Sequence, residues 1–260
     1  MFHRPPENFL YCAYQIKTKY SDGINFVERA ATCFILEIGT GIPYIITNRH
    51  VMDINYNKLA TKYKDYKLIS IQITGRKPSD IAYTVSINSD TPVFFHRDYN
   101  NDVALILPLT KQSAENEKFH FHFTLSHLPN EEEFNRIFPS DIICFAGFPQ
   151  THDKLMGRPI LRCGTIASDP KYSYSWDKNH HGSCVAYEGF STEGASGSPV
   201  LALAYGFVGN MLNARIGYLI GINAGHIPED YGHSGISYFY KSTLIKEIIA
   251  ENKLQNIKDI

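Results

Sequence analysis

Apolar residues in this 260-residue chain occur in short segments, each bounded by Gly, Pro, Asn or Asp. The segments are rich in Tyr, Ile, Val and Phe, which are enriched in strands, and the residues that bound them are typical of turns. The clearest segments begin at Phe9, Ala31, Pro43, Lys67, Val103, Asp141, Pro199 and Gly217. This pattern of short apolar segments between turn residues predicts a mainly β protein, of the all-β fold class.

Apolar residues recur at the spacing of a helix near the C-terminal end of the sequence. It predicts one helix from about residue 242 to 257, with Ser242 as a possible N-cap. The apolar stripe of this helix, which we expect to pack on the body of the protein, consists of Leu244, Ile245, Ile248 and Ile249.

The segment 111–140 is polar and shows no sustained alternation, so we place the change between two β units there. No repeat with a period of roughly 20–50 residues is present, which argues against propellers and solenoids. The sequence therefore predicts two closed or half-closed β units, residues 1–125 and residues 126–260, the second including the C-terminal helix.

Charge and cysteine usage limit the partners and the compartment. The chain has 25 Lys and Arg against 26 Asp and Glu, a net charge of −1, which does not favour binding to nucleic acid or to an anionic membrane. The sequence contains no signal-like start and no apolar run of about 18 residues, which predicts neither secretion nor a membrane span. Five cysteines without C-x-x-C spacing argue against a disulfide framework and favour a cytoplasmic location.

The segment 194–199, Gly-Ala-Ser-Gly-Ser-Pro, is the most specific motif in the sequence. Glycines on both sides of Ser196 permit a tight turn that leaves the serine hydroxyl uncovered. The amides of Gly194 and Ser196 can then converge where an oxyanion would form. An ordinary Gly-Ser-Pro turn is the alternative interpretation.

Two further residues could activate such a serine. His50 follows an apolar strand, and Asp102 directly precedes another, where its carboxylate could be desolvated and still reach an imidazole. Taken singly, a histidine beside a strand is more often a packing residue, and an aspartate before a strand is more often a turn residue.

In this order, the segments 47–51 (T-N-R-H-V), 102–105 (D-V-A-L) and 194–199 resemble the trypsin-like serine peptidases. The resemblance is closest to the bacterial branch that includes the HtrA proteases. It extends to residues 144–149 and 219–223 and covers about residues 28–250. It implies two six-stranded antiparallel barrels of the chymotrypsin type, with His50 and Asp102 in the first and Ser196 in the second.

The resemblance also implies the role of each residue in a serine endopeptidase. Ser196 is the nucleophile, His50 the general base and acid, and Asp102 the residue that orients the imidazole. The amides of Gly194 and Ser196 form the oxyanion hole, and the substrate is a protein or peptide. No metal or organic cofactor is implied.

Specificity and regulation are less constrained. The family places the walls of the primary pocket at Phe190, Ser191, Asn223, Ala224, Gly225, His226 and residues 235–237. No Asp or Glu lies at the expected base of this pocket near Phe190, so a preference for Lys or Arg is not expected. Ala224 stands where relatives carry a hydroxyl that helps to hold the acid, and no activation-cleavage start or PDZ-length segment is recognisable. We therefore expect weak or conditional activity that an activating partner protein could raise.

Two alternatives remain open from the sequence. The first is a peptidase-fold module that has lost turnover and binds a partner's extended peptide. The second is a metal-binding β protein, although its histidines lack paired ligand spacing. The histidines concerned are His120, His122, His127, His180 and His181.

Overall fold

The computed structural model describes residues 2–39, 41–56, 61–108, 119–178, 182–207, 210–229 and 232–254, and they form mainly β structure. His180 and His181 lie outside the described residues. In the first part of the chain, the strands are β1 (Ala13–Ser21), β2 (Phe26–Ile38), β3 (Ile42–Thr47), β4 (Lys67–Arg76), β5 (Ala82–Ile87), β6 (Val93–Phe95), β7 (Ala104–Ile106) and β8 (Phe123–Thr124). The helix α1 (Arg49–Met52) follows β3, and 3-10 helices span Glu7–Cys12, Thr61–Tyr63 and Leu125–His127.

The second part begins with helix α2 (Glu131–Phe134). Its strands are β9 (Ile142–Gly147), β10 (Ile160–Ile166), β11 (Cys184–Glu188), β12 (Pro199–Ala202), β13 (Tyr205–Phe207), β14 (Asn210–Arg215), β15 (Tyr218–Glu229) and β16 (Gly232–Lys241), and helix α3 (Thr243–Glu251) follows. No helix among the described residues is long and apolar enough to cross a membrane.

Six strands of the second part close into an antiparallel barrel in the order β10-β11-β16-β15-β12-β9. Its interior is filled by buried side chains that include Phe145, Val185, Tyr187, Val200 and Phe239. The segment 194–199 leads directly into β12, so a strand of this closed barrel anchors it.

The strands of the first part form an open sheet in the order β5-β4-β1-β2-β3-β7-β6, with β8 paired in parallel to β2. The expectation of two closed six-stranded barrels is therefore correct for the second unit only. Closure of the first would require β5 to pair with β6. Strand β6 has three residues and follows Pro92, which has no amide hydrogen to donate.

A shared apolar core joins the two parts. The largest cluster of buried side chains contains Phe34 and Leu105 from the open sheet, Leu201 from the barrel and Ile245 from α3. Burial of a large aliphatic or aromatic side chain stabilises the folded state by about 1.5–3 kcal/mol, so this common core holds the two sheets against each other.

Helix α3 packs its apolar stripe inward, and Leu244, Ile245, Ile248 and Ile249 are all buried. It begins one residue after Ser242, as the sequence predicted, but the Ser242 side chain makes no capping hydrogen bond. The expected end at residue 257 lies outside the described residues, and the assigned helix ends at Glu251. The first apolar segment also differs in part from expectation, because Glu7–Cys12 forms a 3-10 helix, which Pro6 precedes, and β1 starts at Ala13.

Candidate active site

His50 lies on α1, the single helical turn that follows β3. Its backbone carbonyl accepts a hydrogen bond from Arg29 Nη1 at 2.9 Å, and Arg29 Nη2 reaches the Ile54 carbonyl at 3.4 Å. The turn is therefore held from β2, while the imidazole remains one-third exposed.

Asp102 lies two residues before β7, which pairs with β3 so that Ala104 lies opposite Thr47. This register brings the ends of the two strands together. Asp102 Oδ2 lies 2.6 Å from His50 Nδ1, and Oδ1 accepts the His50 backbone N–H at 2.8 Å. Asn48 Nδ2 also donates to the Asp102 carbonyl at 2.8 Å. The buried carboxylate thus fixes both the ring and the backbone of His50.

The segment that carries Ser196 is a tight turn that needs its two glycines. Gly194 and Gly197 have φ angles of +90° and +85°, which side-chain-bearing residues rarely adopt. A Cβ atom on Gly197 would lie 1.9 Å from the Thr32 carbonyl oxygen. The glycine spacing that identified the motif is therefore required by its geometry.

Thr32 of β2 is a site residue that the sequence analysis did not identify. Its N–H donates to the Ser196 carbonyl at 2.8 Å, and its hydroxyl donates to the Gly194 carbonyl at 2.8 Å. The same hydroxyl accepts the Phe148 N–H at 2.9 Å. Thr32 thus joins the open sheet to the turn that carries Ser196 across more than 160 residues of sequence.

The two amides expected to form an oxyanion hole make no hydrogen bond to the described part of the protein. Among the described residues, neither the Gly194 nor the Ser196 N–H donates to a protein acceptor. The Glu193 carbonyl accepts the Gln150 N–H at 3.0 Å. Because N–H and C=O point in opposite directions across a trans peptide, this bond turns the Gly194 N–H away from Gln150.

Ser196 does not form the expected hydrogen bond to His50 among the described residues. Its hydroxyl donates to the Ala224 carbonyl at 3.0 Å. Ser196, His50 and Gly194 nevertheless line one cleft of about 420 Å³. Rotation about a single side-chain bond would change the partner of the hydroxyl.

The residues expected at the primary pocket lie beside this turn. Ser191 and Asn223 are buried and bonded to each other, with Asn223 Nδ2 2.8 Å from Ser191 Oγ. Phe190 is 61% exposed, and His226 is exposed as well. Ala224 falls between Asn223 and Gly225, where the pairing of β15 with β16 shifts by one residue.

The described histidines that were considered as metal ligands each contact a different neighbouring residue. His122 Nε2 lies 3.3 Å from Glu37, His127 Nδ1 accepts the Thr124 N–H, and His120 packs edge-on against Tyr83. Within the described ranges, no group of three or more His, Cys, Asp or Glu side chains could hold a metal ion.

Over most of its length the chain has the chymotrypsin-like fold of HtrA-type proteases. It is similar to a crystal structure of Deg5, with a TM-score of 0.54, 10% identity and coverage of 92% of this chain and 87% of that one. It is also similar to the HtrA-type protease AlgW with a tripeptide, with a TM-score of 0.54, 15% identity and coverage of 94% of this chain and 62% of that one. At these identities the likeness establishes the fold. The sequence matches no family model and no curated protein.

Proposed function

We propose that the protein is a serine endopeptidase that cleaves peptide bonds through an acyl-enzyme on Ser196. The observation that carries the proposal is the buried Asp102 carboxylate, 2.6 Å from Nδ1 of His50, whose ring lines the same cleft as Ser196 and Gly194. An imidazole and a serine hydroxyl on one cleft, with a buried carboxylate bonded to the imidazole, are the components of nucleophilic catalysis by serine.

The carboxylate determines which nitrogen of His50 can act as the base. The Asp102 carboxylate can only accept a hydrogen bond, so the proton between the two side chains is carried by His50 Nδ1. The other ring nitrogen, Nε2, is therefore unprotonated in the neutral imidazole. Nε2 can then take the Ser196 proton as the hydroxyl oxygen attacks the substrate carbonyl carbon. The Gly194 and Ser196 amides stabilise the negative charge that develops on the carbonyl oxygen.

Collapse of this tetrahedral intermediate transfers the proton from His50 to the leaving amine and breaks the C–N bond. Water, deprotonated by the same imidazole, then attacks the acyl ester and regenerates Ser196. Every proton in the cycle passes through His50. No metal or organic cofactor is required.

The Ala224 carbonyl suggests how substrate controls the first step. In the structure it accepts the Ser196 hydroxyl, which must turn away before His50 can receive its proton. Asn223 still bonds to the backbone of Gly197 and Ser198, but past Asn223 no described backbone group pairs with this side of β15, so one edge is open beside Ser196. A peptide added at this edge can donate its own N–H to the Ala224 carbonyl and release Ser196. Peptide binding and activation would then be one event.

Binding of a peptide without turnover is the second candidate function. The bond between Ser196 and Ala224 favours it, because this hydroxyl orientation is not competent for proton transfer. The AlgW structure, with 62% of its chain covered by this one, contains a tripeptide, and we extend peptide binding to this protein as part of the proposal. An activating partner could act by the same release of Ser196.

Cleavage of an unfolded protein substrate, followed by mass spectrometry of the fragments, tests the function. We expect Ser196→Ala and His50→Ala each to lower the rate by about 10⁴-fold or more. Ser198→Ala is the matched control, because Ser198 lies two residues from Ser196 and its buried hydroxyl has no hydrogen-bond partner among the described residues. Peptide binding with no cleavage by the wild type would instead identify the binding module.

A further inference from the structure

The cleft that His50 and Ser196 line continues along the solvent face of the open sheet. It meets a second cavity of about 410 Å³, and segment 28–30 of β2 lines both cavities. The second cavity is also lined by residues of β1 and β4, namely Lys17, Thr18, Lys19, Ser70 and Gln72. Together the two cavities form one groove, and the catalytic steps above do not use the part that extends over the sheet.

Strand pairing arranges the side chains of this groove in rows. Lys17 of β1 lies opposite Ala30 of β2 and opposite Gln72 of β4, and all three are exposed. Two residues further along β1, Lys19 lies opposite Glu28. Side chains alternate between the two faces of a strand, so both rows lie on the solvent face, about 7 Å apart.

The groove begins at the turn that carries Ser196. Thr32, two residues from Ala30 along β2, donates its N–H to the Ser196 carbonyl at 2.8 Å. Gln15 lies opposite Thr32 and lines the cleft. The row of Lys17 is therefore about 7 Å beyond the row of Thr32, a distance that an extended chain spans with about two residues.

This part of the groove lies on the leaving-group side of the scissile bond. The acyl part of a bound peptide is proposed to lie along β15, beside the Ala224 carbonyl that now accepts the Ser196 hydroxyl. No described residue of β15 lines either cavity. An extended peptide with its scissile carbonyl at Ser196 continues away from β15, so the residues after this bond enter the groove.

The groove carries an excess of positive charge, although the whole chain has a net charge of −1. Four cationic side chains line it against two carboxylates. The cations are Lys17, Lys19, Arg29 and Lys154, and the carboxylates are Glu28 and Glu193.

Three of these cations are not neutralised by a described carboxylate. Lys19 Nζ lies 3.3 Å from Glu28, so these two charges offset each other. Among the described residues, Lys17, Arg29 and Lys154 form no ion pair. Arg29 donates to two backbone carbonyls, which carry no net charge to compensate its own.

Lys154 also has no acceptor in its nearest polar neighbour. His152 Nδ1 lies 2.6 Å from the Pro149 carbonyl, which can only accept, so Nδ1 carries a hydrogen. Nδ1 therefore cannot accept from Lys154 Nζ, which is 3.1 Å away. Glu193 accepts instead from Gln150 Nε2 at 2.6 Å. A substrate carboxylate in the groove would provide the missing acceptor.

We propose that this groove binds the substrate segment that follows the scissile bond, and that it selects segments with Asp or Glu among roughly the first five residues. The inference rests on the proposed function and names its substrate class. An acidic segment compensates Lys17, Arg29 and Lys154, and their combined field also accelerates its approach to the cleft. A basic segment is repelled by the same three charges.

Cleavage of peptides that share one acyl-side sequence and differ after the scissile bond tests the inference. The constant part comes from a bond that the wild type cleaves in an unfolded protein, and the variable part alternates Ala with Glu, Gln or Lys. At low salt we expect kcat/KM for the Glu peptide to exceed that for the Gln peptide by about fivefold or more, with the Lys peptide poorest. Added salt should reduce the difference. Equal cleavage of the Glu and Gln peptides would overturn the inference and leave the proposed peptidase intact.

Removal of two cations tests whether the groove is the source of the preference. The double variant Lys17→Gln, Lys154→Gln should lose most of the preference for the Glu peptide. Lys171→Gln is the matched control, because it removes the same charge from an exposed lysine that lines neither cavity, and it should retain the preference. Arg29 is kept, because it also holds the turn of His50. Full preference in the double variant would overturn the inference.

If the wild type cleaves no peptide, calorimetric binding to the Ser196→Ala variant decides, because it does not depend on turnover. The probes are ten-residue peptides that alternate Ala with Glu, Gln or Lys. Tighter binding of the Glu peptide, weakened by Lys17→Gln with Lys154→Gln, would support the groove while the peptidase is refuted. Binding without preference, or no binding of the Glu peptide, would overturn the groove as well.

Discussion

At the residue scale, Thr32 shows how the site depends on contacts that no local motif contains. Its hydroxyl donates to the Gly194 carbonyl and accepts the Phe148 N–H, and all of these groups are buried. Thr32→Val keeps the shape of the side chain but leaves both backbone groups without a partner. We expect a loss of about 1–3 kcal/mol in the free energy of unfolding, measured by urea titration.

Thr32→Ser is the matched control, because it retains the hydroxyl and removes only a methyl group. It should recover most of the lost stability and most of the peptide cleavage. An unchanged unfolding midpoint for Thr32→Val would show that these hydrogen bonds do not hold the turn.

The candidate nucleophile, base and acid could be identified from sequence because each lies in a local motif. The glycines around Ser196 are required by the turn itself, and Asp102 and His50 lie at the ends of neighbouring apolar strands. Thr32 could not be identified in this way. Its role arises from bonds to residues that are close only after folding, and a threonine in a strand has no distinguishing pattern.

At the element scale, every one of the eight predicted apolar segments overlaps a strand, because β-branched and aromatic runs between turn residues are a local signal. Strand β5 carries the same signal, with Tyr83, Val85 and Ile87 buried at alternate positions, but the sequence analysis did not single it out. The open edge of the first sheet could not be predicted, because closure depends on whether β5 and β6 are long enough to pair.

The neighbouring strands β9 and β10 place two thiols opposite each other. Cys144 and Cys163 are register partners, and their sulfur atoms lie 2.6 Å apart. Cys163 is exposed, whereas burial raises the pKa of the Cys144 thiol above its usual value. We expect oxidised glutathione to react first at Cys163 and then to yield a Cys144–Cys163 disulfide, with the removal of two hydrogen atoms and reduction of the glutathione.

Peptide mapping by mass spectrometry before and after treatment measures this reaction. Cys163→Ser should abolish the cross-link, while Cys33→Ser, at a buried thiol of β2 in a different apolar cluster, should not affect it. A mixed glutathione adduct at Cys163 that never resolves to the cross-strand disulfide would contradict the prediction.

At the scale of the whole molecule, an ionic contact outside the core also joins the two parts. Asp80, in the β4–β5 connection, pairs with Arg76 at 2.7 Å and with Arg158 from the β9–β10 connection. Hydrogen bonds from Arg158 and then Arg76 lower the pKa of Asp80 from 3.8 to about 2. The folded state therefore favours the ionised carboxylate more than the unfolded state does.

The sign of the pH dependence follows from this lowered pKa. The contribution of Asp80 to stability is fully present above about pH 4 and is lost as the pH falls through about 2. Asp80→Asn should be less stable than wild type at neutral pH, with a difference in urea midpoint that shrinks between these two pH values. Because the side chain is 44% exposed, added salt should also reduce the difference. A difference that does not vary with pH would refute the contribution.

The proposed catalytic centre combines elements from both parts of the molecule. His50 and Asp102 come from the first part of the chain, and Ser196 comes from the turn before a barrel strand. The shared core and Thr32 join the two parts, so that His50 and Ser196 line one cleft. The proposed peptidase activity requires that this arrangement make Ser196 a nucleophile.

Labelling with a fluorophosphonate, followed by mass spectrometry of the modified peptide, tests this most directly. The probe needs an activated serine but no particular substrate side chain, so its reaction reports on Ser196 alone. We predict one adduct, on Ser196, that forms at a rate lowered by His50→Ala and by Asp102→Asn and unchanged by Ser198→Ala. No adduct on Ser196 of the folded wild type, or equal labelling rates with and without His50, would contradict the account.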